Sequence, residues 1–355
     1  MRNDGRTDRL PITVLTGFLG SGKTTLVNAL LRDSQFRNTA IIVNEFGDIG
    51  LDHLLVASST DNIVLLDSGC LCCAVSDSFK ETLADLYYRR ARADVPPFDR
   101  VLVETSGLAD PTPTLQILLR DSFVAHYFEL TAVVTTLDAM FGAEQLKSHS
   151  EAVRQAAVAD RIVITKSDMA DEERLTELRR TIATLSPYAD LHCAQSETFR
   201  VDQVLLNSAR TPELEVAHAS TEAAGDLRHA SHARDSAIRA KSFIIDRPVG
   251  WAGLAGWTDL VREALGQKLL RCKGLLQVEG VEGPILIQGV QSVFAAPLRL
   301  PCWPSEDHRS RIVCITQDVD SNLLEASLSA LFAEPGTYRP ASINELLPRN
   351  LSHEL

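Results

Sequence analysis

Gly17-Phe18-Leu19-Gly20-Ser21-Gly22-Lys23-Thr24 reads G-x-x-x-x-G-K-T, between a β-branched run (ITVLTG) and a helix-like run (TLVNALLRD). In that context the glycines let the backbone curl so that successive N–H groups face a phosphate chain at the positive end of the following helix. Gly17, Gly20, Ser21 and Gly22 form the expected cradle. Lys23 is expected to neutralise β- and γ-oxygens, Thr24 to ligate Mg²⁺, and Thr25 to complete the nucleotide-binding set. A merely glycine-rich turn is the bland alternative, and the flanking strand and helix argue against it.

Such a loop needs an acidic partner at another strand end, and VLVETSG offers Glu104, with Gly107 three residues on. Glu104 can orient the metal's water shell or the attacking water, and the Gly107 N–H can sense a γ-phosphate. A carboxylate capping the next helix is the alternative role for Glu104. Thr165-Lys166-Ser167-Asp168 closes a later strand-like run and fits N/T-K-x-D. An aspartate accepts two hydrogen bonds from guanine N1–H and N2–H₂, which adenine cannot supply, so GTP is favoured over ATP.

A second chemistry sits in Cys70-Leu71-Cys72-Cys73. Three soft ligands in C-x-C-C suit Zn²⁺, Cu(I) or another thiophilic ion and leave a coordination position open to an incoming client ligand. Redox cysteines or plain buried thiols are the alternatives. Asn44-Glu45-Phe46-Gly47-Asp48-Ile49-Gly50 carries carboxylates that could reach either ion; we read it as switch-like, with Asp48 as a candidate catalytic group.

The elements positioning these residues follow from hydrophobic patterning. Up to about residue 205, short runs of continuous rather than alternating apolar residues (ITVLTG, TAIIVNEF, NIVLLDS, RVLVETSG, TAVVTTLD, RIVITKSD) alternate with helix-like segments. Strands of that type are covered on both faces, so the first domain is expected to be α/β, doubly wound around a mostly parallel sheet. In that fold the loops at the carboxyl ends of strands make the ligand crevice, so the phosphate and cysteine loops should be neighbours. We expect a nucleotide-binding domain over 1–208, a flexible linker over 209–239, poor in large apolar residues, and a smaller α+β domain over 240–355. For Trp251, Trp257 and Trp303, packing is the favoured role over interface anchoring.

The 355 residues carry 47 acidic and 35 basic side chains, and the resulting net charge of −12 opposes binding to nucleic acid or anionic lipid. The first ten residues, MRNDGRTDRL, lack the apolar core of a signal peptide, and no apolar run approaches a membrane span. A soluble cytoplasmic protein is expected. Seven cysteines, three of them within four positions, do not resemble a secreted disulfide framework.

Together GFLGSGKTTL, NEFGDIGLD, GCLCC, ETSGLADP and TKSD resemble the CobW family of P-loop GTPases, which includes zinc-chaperone GTPases, cobalamin-synthesis accessory proteins and activators of metal enzymes such as nitrile hydratase. KSFIIDRPV, LRCKG, LIQGVQSVF and RSRIVCIT resemble the family's C-terminal domain, so the likeness covers nearly the whole chain. The resemblance implies slow GTP hydrolysis to GDP and phosphate with Mg²⁺, a metal held at Cys70, Cys72 and Cys73, and delivery to a client metalloprotein. Zinc is the first choice of cargo, with Co²⁺ or Fe²⁺ as alternatives, and a homodimer is compatible. The chain departs from family patterns in having only His218, His229 and His232 between the domains, Val43 where some members have glutamate, and Thr165 where asparagine is commoner. No arginine is assignable as a transition-state finger. The alternatives are a metal reservoir with incidental GTP turnover, cobalt or iron insertion, and a small-molecule phosphotransferase.

Overall fold

Leu10–Gly17 is buried at every position but Pro11, so this first strand must be covered on both faces, as only a central strand is. The computed structural model describes residues 9–31, 38–43, 63–67, 75–205 and 238–333. By its contacts the chain divides into two units, 1–212 and 213–355. In the first, β1 (Leu10–Gly17), β2 (Thr39–Val43), β3 (Ile63–Asp67), β4 (Arg100–Glu104), β5 (Phe128–Asp138), β6 (Arg161–Thr165) and β7 (Asp190–Cys193) form one sheet in the order β3-β2-β4-β1-β5-β6-β7. Every pairing in it is parallel.

Parallel neighbours require crossovers, here supplied by α1 (Lys23–Leu31), α2 (Val75–Ala91), α3 (Thr112–Arg120), α4 (Ser122–Tyr127), α5 (Gly142–Ser148), α6 (Ser150–Ala157) and α7 (Glu172–Leu185), with α8 (Val201–Leu205) after β7. Leu26, Val27 and Leu30 of α1 and Val204 and Leu205 of α8 pack on Leu15, Ile41, Leu102 and Val134 of the sheet. Helix ends are fixed locally: Asp121 accepts from Phe123 N–H and Val124 N–H (3.0 Å each) to start α4, and Asp171 accepts from Arg174 N–H (2.9 Å) to start α7. The sheet reverses its winding at β1, with β2 and β3 built to one side and β5 to β7 to the other, so the crevice of a doubly wound sheet falls at the end of β1.

β7 was not among the expected strands, because Asp-Leu-His-Cys is four residues long, polar and half exposed. It pairs with β6 as the sheet's edge. His192 on it lies with its Nε2 buried, and burial pushes its pKa below the ordinary histidine value despite nearby Asp190.

The second unit contains β8 (Ile238–Ile245), α9 (Trp251–Leu265), β9 (Leu269–Leu276), β10 (Ile285–Val290), β11 (Val293–Phe294), β12 (Leu298–Arg299), β13 (Ser310–Gln317) and α10 (Ser321–Ser327). Its sheet is antiparallel, β11-β10-β9-β13-β8, with β12 also on β10. The last helix-like run divides into α10 and a 3₁₀ segment, Leu328–Phe332. Of the expected linker, residues 209–237 lie outside the described residues, and Ile238 and Arg239 belong to β8. Trp257 is fully buried against α10, its indole N–H donating to Ser327 Oγ (3.1 Å), and Trp303 stacks on His308 (5.2 Å, 16°). Trp251, at the start of α9, is 49% exposed and so departs from the expected packing role. No helix among the described residues is long and apolar enough to cross a membrane.

Candidate nucleotide-binding site

Between β1 and α1 the backbone takes positive φ at Gly17, Gly20 and Gly22 (142°, 70° and 91°), bending the expected phosphate loop round the helix start. The helix's own bonding begins with Leu26 N–H to Gly22 C=O (3.0 Å), and the first-turn amides ahead of it form the positive end of α1. Lys23, 9% exposed, donates from Nζ to Gly17 C=O (2.8 Å) and Phe18 C=O (3.3 Å). Its ammonium thus lies over the mouth of the loop on neutral carbonyls, partners that a phosphate oxygen outcompetes through charge. Ser21 points away from the mouth, its buried hydroxyl bonded to Thr136 Oγ1 (2.7 Å) on β5. Thr24 and Thr25 are exposed in the first turn of α1.

At the end of β4, Glu104 is buried at 3% exposure, and the Thr24 hydroxyl donates to its Oε1 (3.5 Å). A hydroxyl and a carboxylate oxygen placed side by side are the hard donors Mg²⁺ prefers, so the residues present fit that ion. The following loop is tied back to β1 by Thr105 N–H to Leu15 C=O (2.9 Å) and Thr105 Oγ1 to Thr16 Oγ1 (2.8 Å). It meets the phosphate loop backbone to backbone at Gly107, where a Cβ would sit 2.9 Å from Leu19 N and 3.0 Å from Leu19 Cα, so only glycine fits.

The base segment closes the crevice from the other side. Thr165 Oγ1 donates to Ser21 C=O (2.8 Å) in the phosphate loop, and Lys166, at φ 55°, pairs through Nζ with Asp138 Oδ2 (2.6 Å). Met169 N–H to Lys166 C=O (3.1 Å) closes the turn, whose tip carries the exposed Asp168. Behind it, Ser167 donates from N–H (3.2 Å) and Oγ (3.1 Å) to Gln195 Oε1, and Cys193 Sγ lies 2.9 Å from Ser167 Oγ.

The structure therefore ties the phosphate loop (Gly17, Gly20, Ser21, Gly22, Lys23) to the end of β4 through Thr24 with Glu104 and Leu19 with Gly107, and to the base segment through Thr165 with Ser21 and Gly22. Thr25 and Asp168 are exposed, and Lys166 is held by Asp138. Asp48, Cys70, Cys72 and Cys73 lie outside the described residues. Among the described residues no group of three or more His, Cys, Asp or Glu side chains could hold a metal ion. Cys272 and Cys314 face each other across β9 and β13 (Sγ to Sγ 3.8 Å) in the core, and the Cys314 thiol together with burial holds the Cys272 pKa well above the ordinary thiol value. Protonated thiols of that kind are packing groups. Thr136, Asp138, Gln155 and Gln195 were not foreseen; each supports a motif residue from a distant part of the chain, and no local pattern marks them.

A doubly wound sheet whose central strand feeds a G-x-x-x-x-G-K-T loop, with a strand-end carboxylate and a T-K-x-D turn on either side, defines a P-loop GTPase. Comparison with known families agrees over most of the chain. Residues 11–192 match the CobW/HypB/UreG nucleotide-binding domain and residues 238–332 the cobalamin synthesis protein cobW C-terminal domain, so the chain belongs to the CobW/HypB/UreG family. It is similar to the zinc chaperone YjiA of Escherichia coli, 30% identical over 322 residues that span 91% of this chain and 98% of that protein. It is also 30% identical to the zinc chaperone CobW of Pseudomonas aeruginosa, over 92% of each chain. Among solved structures, that of the Zn(II)-bound YjiA GTPase from E. coli covers 92% of this chain and 99% of its own, at 25% identity and a TM-score of 0.66.

Proposed function

We propose that the protein is a cytoplasmic GTPase metallochaperone: it carries zinc on the thiolates of Cys70, Cys72 and Cys73 and releases it to a client metalloprotein as GTP is hydrolysed. Its similarity to proteins named zinc chaperones and to a Zn(II)-bound GTPase supports zinc over Co²⁺ or Fe²⁺ as cargo. Delivery and nucleotide gating extend that reading.

The observation that carries it is one row of the sheet. Asp67, the last residue of β3 before the cysteine loop, pairs with Val43; Val43 pairs with Glu104, and Glu104 with Leu15 of β1. The strand ends that lead into Cys70, Asp48, Gly107 and the phosphate loop are thus level with one another along one edge of the sheet. Because these strand ends are neighbours, the proposed route from the γ-phosphate to the cysteines runs through the segments that follow β4 and β2.

In this reading Asp168 selects guanine, with Thr165 and Lys166 holding its turn; Gly17, Gly20, Ser21, Gly22 and Thr25 frame the phosphates; and Lys23 neutralises the β- and γ-oxygens. Thr24 and Glu104 would hold Mg²⁺, which would supply positive charge against the charge developing on the phosphates. Gly107 presents its N–H to the γ-phosphate, and Asp48 completes the switch. Hydrolysis without a partner is slow for want of an arginine finger, and a second copy or the client is the source of the missing charge.

The test is a competition titration of Zn²⁺ and Co²⁺ against the reduced protein with Mg²⁺ and a GTP analogue, with Mg²⁺ and GDP, and without nucleotide. Gating predicts at least a tenfold difference in metal affinity, about 1.4 kcal/mol of coupling. Equal affinities in all three states, or metal binding that survives Cys72→Ala, defeat it.

A further inference from the structure

Helix α6 carries no recognisable motif, yet both of its ends touch the phosphate side of the crevice. His149, immediately before it, stacks its ring on Phe18 of the phosphate loop (4.5 Å, 24°). Near its other end, Arg154 Nη1 donates to Asp110 Oδ2 (2.8 Å), and Gln155 Nε2 donates to both Gly107 C=O (3.2 Å) and Ala109 C=O (3.0 Å). The loop after β4 is therefore held to α6 at Gly107, Ala109 and Asp110.

Gln155 is fully buried, and its own main-chain carbonyl accepts from Thr135 Oγ1 (2.7 Å), which fixes it to β5. A carboxamide is suited to this place because one neutral nitrogen supplies two hydrogens to two carbonyls. An apolar residue would strand both acceptors, and a carboxylate would face them with like partial charge. The amide orientation is set by those carbonyls, since Gln155 Oε1 finds no hydrogen-bonding partner among the described residues. A buried polar group half satisfied in this way is unfavourable for folding alone, and its paired half is aimed entirely at the loop.

We propose that Gln155 is a positioning residue for GTP recognition: by fixing the Gly107 and Ala109 carbonyls it sets how the Gly107 N–H meets the γ-phosphate, and so links α6 to the presence of that phosphate. The inference rests on the reading of Gly107 given above. Leu19 already backs Gly107 on its Cα side, Thr105 ties the loop upstream and Arg154 holds it at Asp110, so the Gln155 amide supplies the restraint nearest Gly107 on the downstream side.

Gln155→Met keeps the length and packing of the side chain and removes both donors. With Mg²⁺ present, the full-length variant is expected to bind a non-hydrolysable GTP analogue at least tenfold more weakly and to lose at least tenfold in kcat, with GDP affinity within twofold of the parent. Equal losses for both nucleotides, or none for either, overturn the proposal. Hydrogen exchange on the unaltered protein needs no folded variant: peptides covering 150–157 are expected to exchange at least tenfold more slowly with the GTP analogue than with GDP, and equal rates overturn it. Gly107→Ala separates the two failures. If it leaves the ratio of GTP-analogue to GDP affinity unchanged, the loop does not read the γ-phosphate and the underlying reading fails; if it lowers that ratio while Gln155→Met does not, only the role of Gln155 fails.

Discussion

Replacing Thr165 by valine tests whether the base segment and the phosphate loop are one unit. The hydroxyl has a single hydrogen, and Ser21 C=O at 2.8 Å is a better acceptor for it than Leu137 C=O at 3.3 Å. Its Cγ2 packs 3.2 Å from where a Cβ on Gly22 would stand, and valine keeps that methyl. The substitution therefore removes one buried bond without opening a cavity. Stranding a buried acceptor costs about 1–3 kcal/mol. The Ser21 carbonyl belongs to the loop that must be ordered round the phosphates, so most of that loss is expected in nucleotide binding: about five- to thirtyfold weaker affinity, or ~1–2 kcal/mol. The loss should be the same for GDP and a GTP analogue, and the preference for guanine over adenine should persist because Asp168 is untouched. Thr165→Ser, which keeps the hydroxyl, should stay within about threefold of the parent, under ~1 kcal/mol. Fluorescence titration with labelled GDP reads these numbers. Parental affinity and stability in Thr165→Val, or lost base preference at unchanged GDP affinity, would falsify the reasoning.

Lys23→Ala is expected to abolish GTP hydrolysis and weaken nucleotide binding while leaving thiol-bound metal intact; a turnover assay beside a zinc titration checks both halves, and normal turnover removes Lys23 from the site. Asp168→Asn should erode discrimination against ATP, seen as a fall in the GTP-to-ATP affinity ratio of at least tenfold, about 1.4 kcal/mol. Asp121 offers a pH test away from the site. Burial pushes its carboxyl up, but the Lys80 ammonium at 2.8 Å and the amides of Val124 and Phe123 outweigh that and hold it below the ordinary aspartate value. A depressed folded-state pKa stabilises above the unfolded value near ~3.9 and is lost as pH falls through the folded one. Asp121→Ala should therefore cost about 1 kcal/mol at pH 7 in urea melts, and the gap should close below pH ~4. A gap that persists at pH 2 contradicts the assignment.

What was legible in the sequence was what is local. The phosphate loop and the T-K-S-D turn are contiguous, and β1, β4, β5 and β6 announce themselves because in a strand covered on both faces the charged residues fall toward its ends and the middle stays apolar or threonine. β7 lacks that signal, as one edge of a sheet needs only half its covering. The supporting residues were invisible for another reason. Thr136 lies 115 positions from Ser21, Gln155 is 48 from Gly107, and Asp138 and Gln195 are each 28 from their partners in the base turn. A threonine at a strand end or a glutamine in a short helix has no preferred role until the topology brings a partner to it.

The same topology sets the spacing of the strand ends that lead toward the phosphate loop and the cysteines. In the order β3-β2-β4-β1, three strand spacings separate the end of β3 from that of β1, about 14 Å at ~4.8 Å each. At that range and an effective dielectric of ~20, one unit-charge pair is worth about 1 kcal/mol. Salt with a Debye length of ~8 Å cuts this to about a fifth, leaving ~0.4 kcal/mol for a dication facing the one extra charge of a γ-phosphate. That is well short of the ~1.4 kcal/mol behind a tenfold change in metal affinity. For an ion held level with the end of β3, direct attraction between cargo and phosphate would therefore fall short of gating of that size, and the proposed gating would need a conformational change. The two causes separate by ionic strength: a tenfold nucleotide effect on Zn²⁺ affinity should survive an increase in salt from 0.1 to 1 M, whereas an effect that collapses over that range would be Coulombic.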